Sequence, residues 1–208
     1  MPLANLRLIA IGASAGGIEA LKVLVAGLPA DLPAAVAIVN HLAPESPGYL
    51  PAILSHAGPL PASHGRDREP LLPGRIYVAP PDRHMLVVGG CVLLTDGARE
   101  NGMRPAIDPL FRSAAVSFGN RAIGVVLTGA LDDGTAGLAA IKNRGGLAVV
   151  QDPADAETPS MPESALQHVV VDHMAPLSAM AALLVRLVQE EPPADLRGAT
   201  CGPSSSSS

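Results

Sequence analysis

Along residues 6–12 (LRLIAIG), 34–40 (AAVAIVN), 122–128 (AIGVVLT) and 147–151 (LAVVQ), apolar side chains follow one another almost without polar interruption. Such runs mark strands buried on both faces of a parallel sheet. Between them the apolar period lengthens to that of a helix. Ile18, Leu21, Val25 and Leu28 keep helical spacing within residues 17–28, and Pro29 supplies the stop. Ile107, Leu110, Phe111, Ala114, Ala115 and Phe118 form one face of a helix that opens just after Pro105. Further helices are predicted over residues 47–57, 135–144 and 176–190, and a brief strand over residues 169–171. Residues 75–95 read differently: three short β-like runs, broken by Pro-Pro-Asp and Gly-Gly, predict local antiparallel pairing.

Strands alternating with helices through most of the chain predict an α/β fold. It would be a doubly wound, mainly parallel sheet with helices on both faces and an antiparallel hairpin insertion at one edge. The pattern stops near residue 191. Residues 1–191 are therefore expected to form one domain, and residues 192–208 (PPADLRGATCGPSSSSS) have the Pro/Gly/Ser-rich composition of a disordered tail.

Composition narrows the function classes. The chain has 208 residues, 48% hydrophobic and 16% charged, which is ample apolar material for a single core. A net charge of -5 without a Lys/Arg cluster leaves no electrostatic footprint for nucleic acid or an anionic membrane. Neither a signal-peptide core nor a membrane-spanning apolar stretch occurs, so no membrane insertion is expected and the cytoplasm is the expected compartment. Cys91 and Cys201 lack partners at ligand or redox spacing and read as free thiols. No metal or organic cofactor is implied, because HExxH, CxxC and phosphate-loop spacings are all missing from the sequence.

The first strand runs into Gly12-Ala13-Ser14-Ala15-Gly16, a G-x-S-x-G between a predicted strand and a predicted helix. In that context the motif presents a serine hydroxyl at a sharp turn at the sheet's carboxyl edge. Ser14 is equally suited to cap the helix. A nucleophilic serine needs a base, and of six histidines His41 alone directly follows a predicted buried strand. An acid must orient that base, and Asp132 and Asp133 both follow the strand over residues 122–128; either could instead cap the helix behind them. The order Ser, His, Asp disfavours an ordinary α/β-hydrolase, whose acid precedes its histidine.

Six segments in fixed order carry a resemblance. IAIGASAGGIEAL, VNHL, LPGRIYVAPPDRHM, MRPAIDPLFRSAA, VVLTGALDDGTAGL and MPESA are together similar to the catalytic domain of CheB-type chemotaxis protein-glutamate methylesterases, over roughly nine-tenths of the chain. The resemblance puts Ser14, His41 and Asp133 on the family's triad, selecting Asp133 because the family's acid immediately precedes a glycine, here Gly134. It implies hydrolysis of γ-glutamyl methyl esters on the cytoplasmic domain of methyl-accepting chemoreceptors, with deamidation of receptor glutamines as a companion activity. Backbone N–H groups of Ala15 and Ala130 are the oxyanion-hole candidates. Three departures stand out: Ala15 where enteric members carry Thr, Ala130-Leu131 where they have the Met-Gly of a TGMG loop, and no counterpart of the N-terminal phosphoacceptor domain. The last leaves open whether a separate regulatory protein is a partner. The rival reading is a non-catalytic regulatory module that kept the fold and binds a receptor or signalling partner without turnover.

Overall fold

A computed structural model describes residues 6–41 and 46–192. The outer part of the chain from residue 193, which holds most of the expected tail and Cys201, lies outside the described residues. Cys91 is a free thiol.

Seven strands form one parallel sheet: β1 (Arg7–Ala13), β2 (Ala34–Asn40), β3 (Ala62–His64), β4 (Arg75–Val78), β7 (Ala122–Val126), β8 (Leu147–Gln151) and β9 (His173–Ala175). Their spatial order is β3-β4-β2-β1-β7-β8-β9. The remaining two, β5 (His84–Val88) and β6 (Cys91–Thr95), pair antiparallel as a sheet of their own. Among the described residues there are six α-helices: α1 (Gly17–Ala26), α2 (Leu50–Ala57), α3 (Ile107–Phe118), α4 (Thr135–Asn143), α5 (Ser160–His168) and α6 (Leu177–Gln189).

The uninterrupted apolar runs have a simple cause. Successive strand residues point to opposite faces, and both faces are covered. Ile9, Ile11, Val36 and Ile38 meet α1, α2 and α6 through Leu21, Leu24, Leu54 and Leu184. Leu8, Ala10, Ala37 and Val39 meet the other layer through Phe111, Leu138, Met161 and Ala165 of α3, α4 and α5. The winding reverses between β1 and β7, so a crevice opens at the carboxyl ends of these central strands, where folds of this type bind ligands.

Several elements differ from the pattern-based expectation. The first β-like run of residues 75–95 is β4, which pairs parallel with β2 in the main sheet; only the other two runs make the hairpin. That hairpin closes on Gly89-Gly90 with φ of 58° and 80°, as a two-residue type I′ turn requires, and packs on α3. Its strands are not hydrogen-bonded to the main sheet's edge. The strand expected over residues 169–171 is displaced to β9, because the Val-Val-Val run follows the end of α5 and pairing with β8 begins only at His173 opposite Val149. Val170 points into solvent. Helix α5 was not expected: only Met161, Pro162 and Ala165 of its nine residues are buried, too few to print a period on the sequence. Likewise β3, Ala-Ser-His at the sheet edge, carries no apolar run.

Candidate active site

The β1–α1 turn places Ser14 one residue past the end of β1. Its N–H donates to the Thr128 carbonyl at 3.0 Å, so the elbow hangs on the strand end of β7. The turn closes through Gly16 at φ 75°, a left-handed conformation that glycine takes without penalty. Any Cβ there would also press on Glu157, 2.7 Å from its carboxylate oxygen. His41 is set by the register of the neighbouring strand: its N–H donates to the Ala13 carbonyl at 3.1 Å, directly prolonging the β1–β2 ladder.

These placements bring three side chains into series. His41 Nδ1 lies 3.1 Å from Ser14 Oγ, and His41 Nε2 lies 2.7 Å from Asp133 Oδ2. A carboxylate only accepts, so the close Nε2 contact requires the proton on Nε2 and leaves Nδ1 to accept from the serine hydroxyl. The ring is thus turned end for end relative to the chymotrypsin-type arrangement, where Nε2 faces the serine. Only 8% of the His41 side chain and 2% of the Asp133 side chain reach solvent, so the pair works in a poorly screened environment.

Asp133 is held by four donors. Besides His41, Oδ2 accepts from the Ile107 N–H at 2.7 Å, while Oδ1 accepts from Asn101 Nδ2 at 2.8 Å and the Asp108 N–H at 3.1 Å. Ile107 and Asp108 are the first residues of α3, so the carboxylate also sits at the positive end of that helix. Burial pushes its titration upward, but the bonds from His41, Ile107, Asn101 and Asp108 outweigh burial and hold the carboxyl below its ordinary range. Asp108 returns the arrangement, accepting from the N–H groups of Gly134 and Gly137 at the start of α4. Burial, reinforced by the neighbouring Asp133 charge, raises the Asp108 carboxyl despite these bonds.

The other candidates part company here. Asp132 is exposed, its side chain has no hydrogen-bond partner among the described residues, and its carbonyl accepts from Thr135 N–H. Four of the five remaining histidines serve local structure: His56 and His168 bond carbonyls of their own helices, His64 bonds Gly48, and buried His84 bridges Ala98 and Ala106, while His173 opens the edge strand β9, away from the site. The N–H groups of Ala15 and Ala130 flank Ser14 in sequence and across the Thr128 turn, and neither has a hydrogen-bond partner among the described residues. Leu131, two residues before Asp133, takes φ 66° and exposes 73% of its surface.

Pattern reading missed Thr128, Asp108 and Asn101. Buried Thr128 binds four groups: its hydroxyl donates to the Ala15 carbonyl and accepts from Thr158 N–H, its N–H donates to Gln151, and its carbonyl accepts from Ser14. Gly129 follows it, tied to the 158–161 turn by two 2.9 Å backbone bonds. A Cβ on Gly129 would lie 2.8 Å from the Ser14 Cβ and would also collide with Met161. Gly129→Ala is accordingly expected to displace the serine and lower turnover at least about tenfold with little loss of fold, since small misplacements of reacting groups are costly. Steady-state rates together with circular dichroism check this.

A doubly wound α/β domain with a hydrogen-bonded Ser–His–Asp series at the carboxyl edge of its central strands has the parts of a serine hydrolase. Comparison with known proteins narrows that class. Residues 9–184 match the family described as CheB methylesterase, and the chain belongs to this family. A Leptospira interrogans relative is 40% identical over 186 residues, 89% of this chain and 96% of that one. A Pseudomonas aeruginosa protein named protein-glutamate methylesterase/protein-glutamine glutaminase 2 is 38% identical over 188 residues, and the match spans 54% of its length. The crystal structure of the Thermotoga maritima CheB methylesterase catalytic domain superposes with a TM-score of 0.83 at 30% identity, covering 87% of this chain and 98% of that one. No helix among the described residues is long and apolar enough to cross a membrane.

Proposed function

We propose that this protein hydrolyses methyl esters on glutamate side chains of chemoreceptor cytoplasmic domains, with Ser14 as nucleophile, His41 as base and Asp133 as the orienting acid. The observation that carries this reading is the unbroken series from Ser14 Oγ through the His41 ring to Asp133, at 3.1 and 2.7 Å. Ser14 attacks the ester carbonyl while His41 Nδ1 takes its proton; the same nitrogen then returns the proton to the departing methoxide, releasing methanol. Water, deprotonated by Nδ1 in turn, hydrolyses the acyl-enzyme to free glutamate. Asp133 keeps the second ring proton on Nε2 and stabilises the imidazolium. The Ala15 and Ala130 N–H groups are the donors suited to the developing oxyanion, because no group of the described chain occupies them. A glutamine side chain presents the same acyl carbon with ammonia as the leaving group, so deamidation needs no further residue.

The reading of a non-catalytic module accounts poorly for Asp133. A charge kept in a nearly solvent-free position by four donors is costly to assemble, and binding a partner elsewhere on the surface would not need it. The expected compartment is the cytoplasm, where receptor methylation sites lie.

Methanol release from methylated receptor membranes tests the proposal. Purified protein is expected to release methanol and to take up one equivalent of a fluorophosphonate at Ser14, with loss of activity in proportion to labelling. Methanol release that persists after complete labelling would rule out the serine mechanism; no release from any methylated receptor of the same organism would rule out the substrate.

A further inference from the structure

The geometry points to Asn101 as a positioning residue that locks the Asp133 carboxylate through its side-chain amide. This inference rests on the triad reading above and deepens it. Asn101 and Gly102 are the two central residues of a tight turn closed by reciprocal backbone bonds between Glu100 and Met103, at 3.1 and 2.8 Å. Both central residues have positive φ, 50° and 74°, the signature of a type I′ turn. Turn chemistry alone accounts for Asn-Gly at these positions, and by that account aspartate or glycine would serve at residue 101 equally well.

The side chain does something neither substitute can do. Its NH2 group reaches inward and uses both hydrogens, one on Asp133 Oδ1 at 2.8 Å and one on Asp108 Oδ2 at 3.1 Å. It therefore stands between two buried carboxylates that repel each other, giving each a donor that the surrounding backbone does not supply. Asp133 has one donor per oxygen from the start of α3, one from His41, and the fourth from Asn101 alone among side-chain amides. The other charged groups that bear on the pair are His41 at the end of β2 and Arg112 one turn along α3, while Asp132 and His168 of α5 face the cavity beside Asn101 and Asp108. Asn101 and Asp108 line a cavity of about 370 Å³ between α3, α4 and α5, which Asp133 itself does not reach.

The turn is braced in place. Arg112 pairs with Glu100 at 2.6 Å, and Arg104 donates to Asp82 and to the carbonyls of Asp96 and Gly97. Buried His84 accepts from Ala106 N–H and donates to the Ala98 carbonyl, fixing both ends of the segment that carries Asn101 into α3. A residue needed only for a surface turn would not call for this much fixation. Held this way, the amide restricts rotation of the Asp133 carboxylate, and with it the direction in which Oδ2 meets His41.

Asn101→Gly is the clean test, because glycine keeps the left-handed turn and deletes only the amide. It is expected to lower kcat about tenfold, the worth of one hydrogen bond to a buried charge, with KM near the parent value. The low-pH limb of kcat should move to higher pH, since an Asp133 carboxylate with one donor fewer holds the imidazolium form of His41, which cannot act as base, more strongly. Asn101→Asp, which keeps the turn but adds a third carboxylate, should lower kcat further and move the limb in the same direction. Parent-like kcat with an unmoved low-pH limb in Asn101→Gly overturns the inference, whatever happens to its melting temperature, because a turn residue alone would alter only stability. Ser14→Ala runs beside it: an inactive Ser14→Ala with a fully active Asn101→Gly defeats the inference and leaves the triad standing. An active Ser14→Ala defeats both.

Discussion

Replacing Ser14 by alanine is expected to reduce methanol release by about three orders of magnitude or more while leaving the fold intact. The substitution removes the attacking oxygen and the donor to His41 Nδ1, and nothing else in the described chain stands within reach to replace it. Alanine is also sterically harmless here. The Ser14 N–H bond to Thr128 and the left-handed Gly16 hold the turn through backbone alone, so the elbow survives. Substrate binding should persist, and the fall should lie in kcat with KM little changed. Single-turnover rates on methylated receptor, with a circular dichroism spectrum matching the parent, check the prediction. A folded Ser14→Ala protein with near-parental turnover would remove Ser14 from the mechanism.

Asp133→Asn is expected to cost about four orders of magnitude, the loss seen for the same change in a chymotrypsin-type triad. The reason lies in donor counting. Four N–H groups converge on Asp133, two on each oxygen, and a carboxylate can accept from all of them. An asparagine can accept at one end only, and its NH2 must face two other donors at the other end. With the amide nitrogen toward His41, the ring is driven to the tautomer with its proton on Nδ1, which faces Ser14 and can no longer act as base. With the amide oxygen toward His41, the nitrogen confronts Asn101 and the Asp108 N–H, and the start of α3 must shift. Asp132→Asn should change turnover little and stability by at most about 1 kcal/mol, because that carboxylate is exposed and its carbonyl, not its side chain, holds Thr135. Steady-state rates of the two variants on one substrate decide between adjacent aspartates.

The two variants should also differ in acid. The Asp133 carboxyl is held below its ordinary range in the fold, so the stability it contributes is fully present above the unfolded carboxyl's titration and is lost as pH falls through the folded one. Asp133→Asn lacks that contribution, and its deficit in urea midpoint should shrink as the pH is lowered. Asp108, whose carboxyl is raised, acts in the opposite sense and titrates in both proteins.

Residue order alone carried much of this site. The strands β1, β2, β7 and β8 announced themselves because burial on both faces demands continuous apolar side chains, and each demand is local. Ser14, His41 and the aspartate pair were legible for the same reason, since each follows one of those strands, Ser14 and His41 immediately and the aspartates in the loop after β7. The glycine signals of the G-x-S-x-G turn and of Gly89-Gly90 were likewise local, set by backbone conformations other residues resist. Elements with few buried side chains, such as α5 and β3, left no period to read.

Residue pattern left Asp132 and Asp133 level, the family resemblance pointed to Asp133, and only the folded chain supplies the physical difference between them, which is one of direction: one side chain meets the start of α3, a helix about 25 residues away in sequence, and the other meets water. The same holds for the turned imidazole of His41, for Thr128 beneath the elbow and for the amide of Asn101 between two carboxylates. Such roles depend on which donors converge across the crevice between β1 and β7. A linear pattern records how each segment satisfies its own burial, whereas the count of donors around a buried charge is fixed only when separate segments pack together.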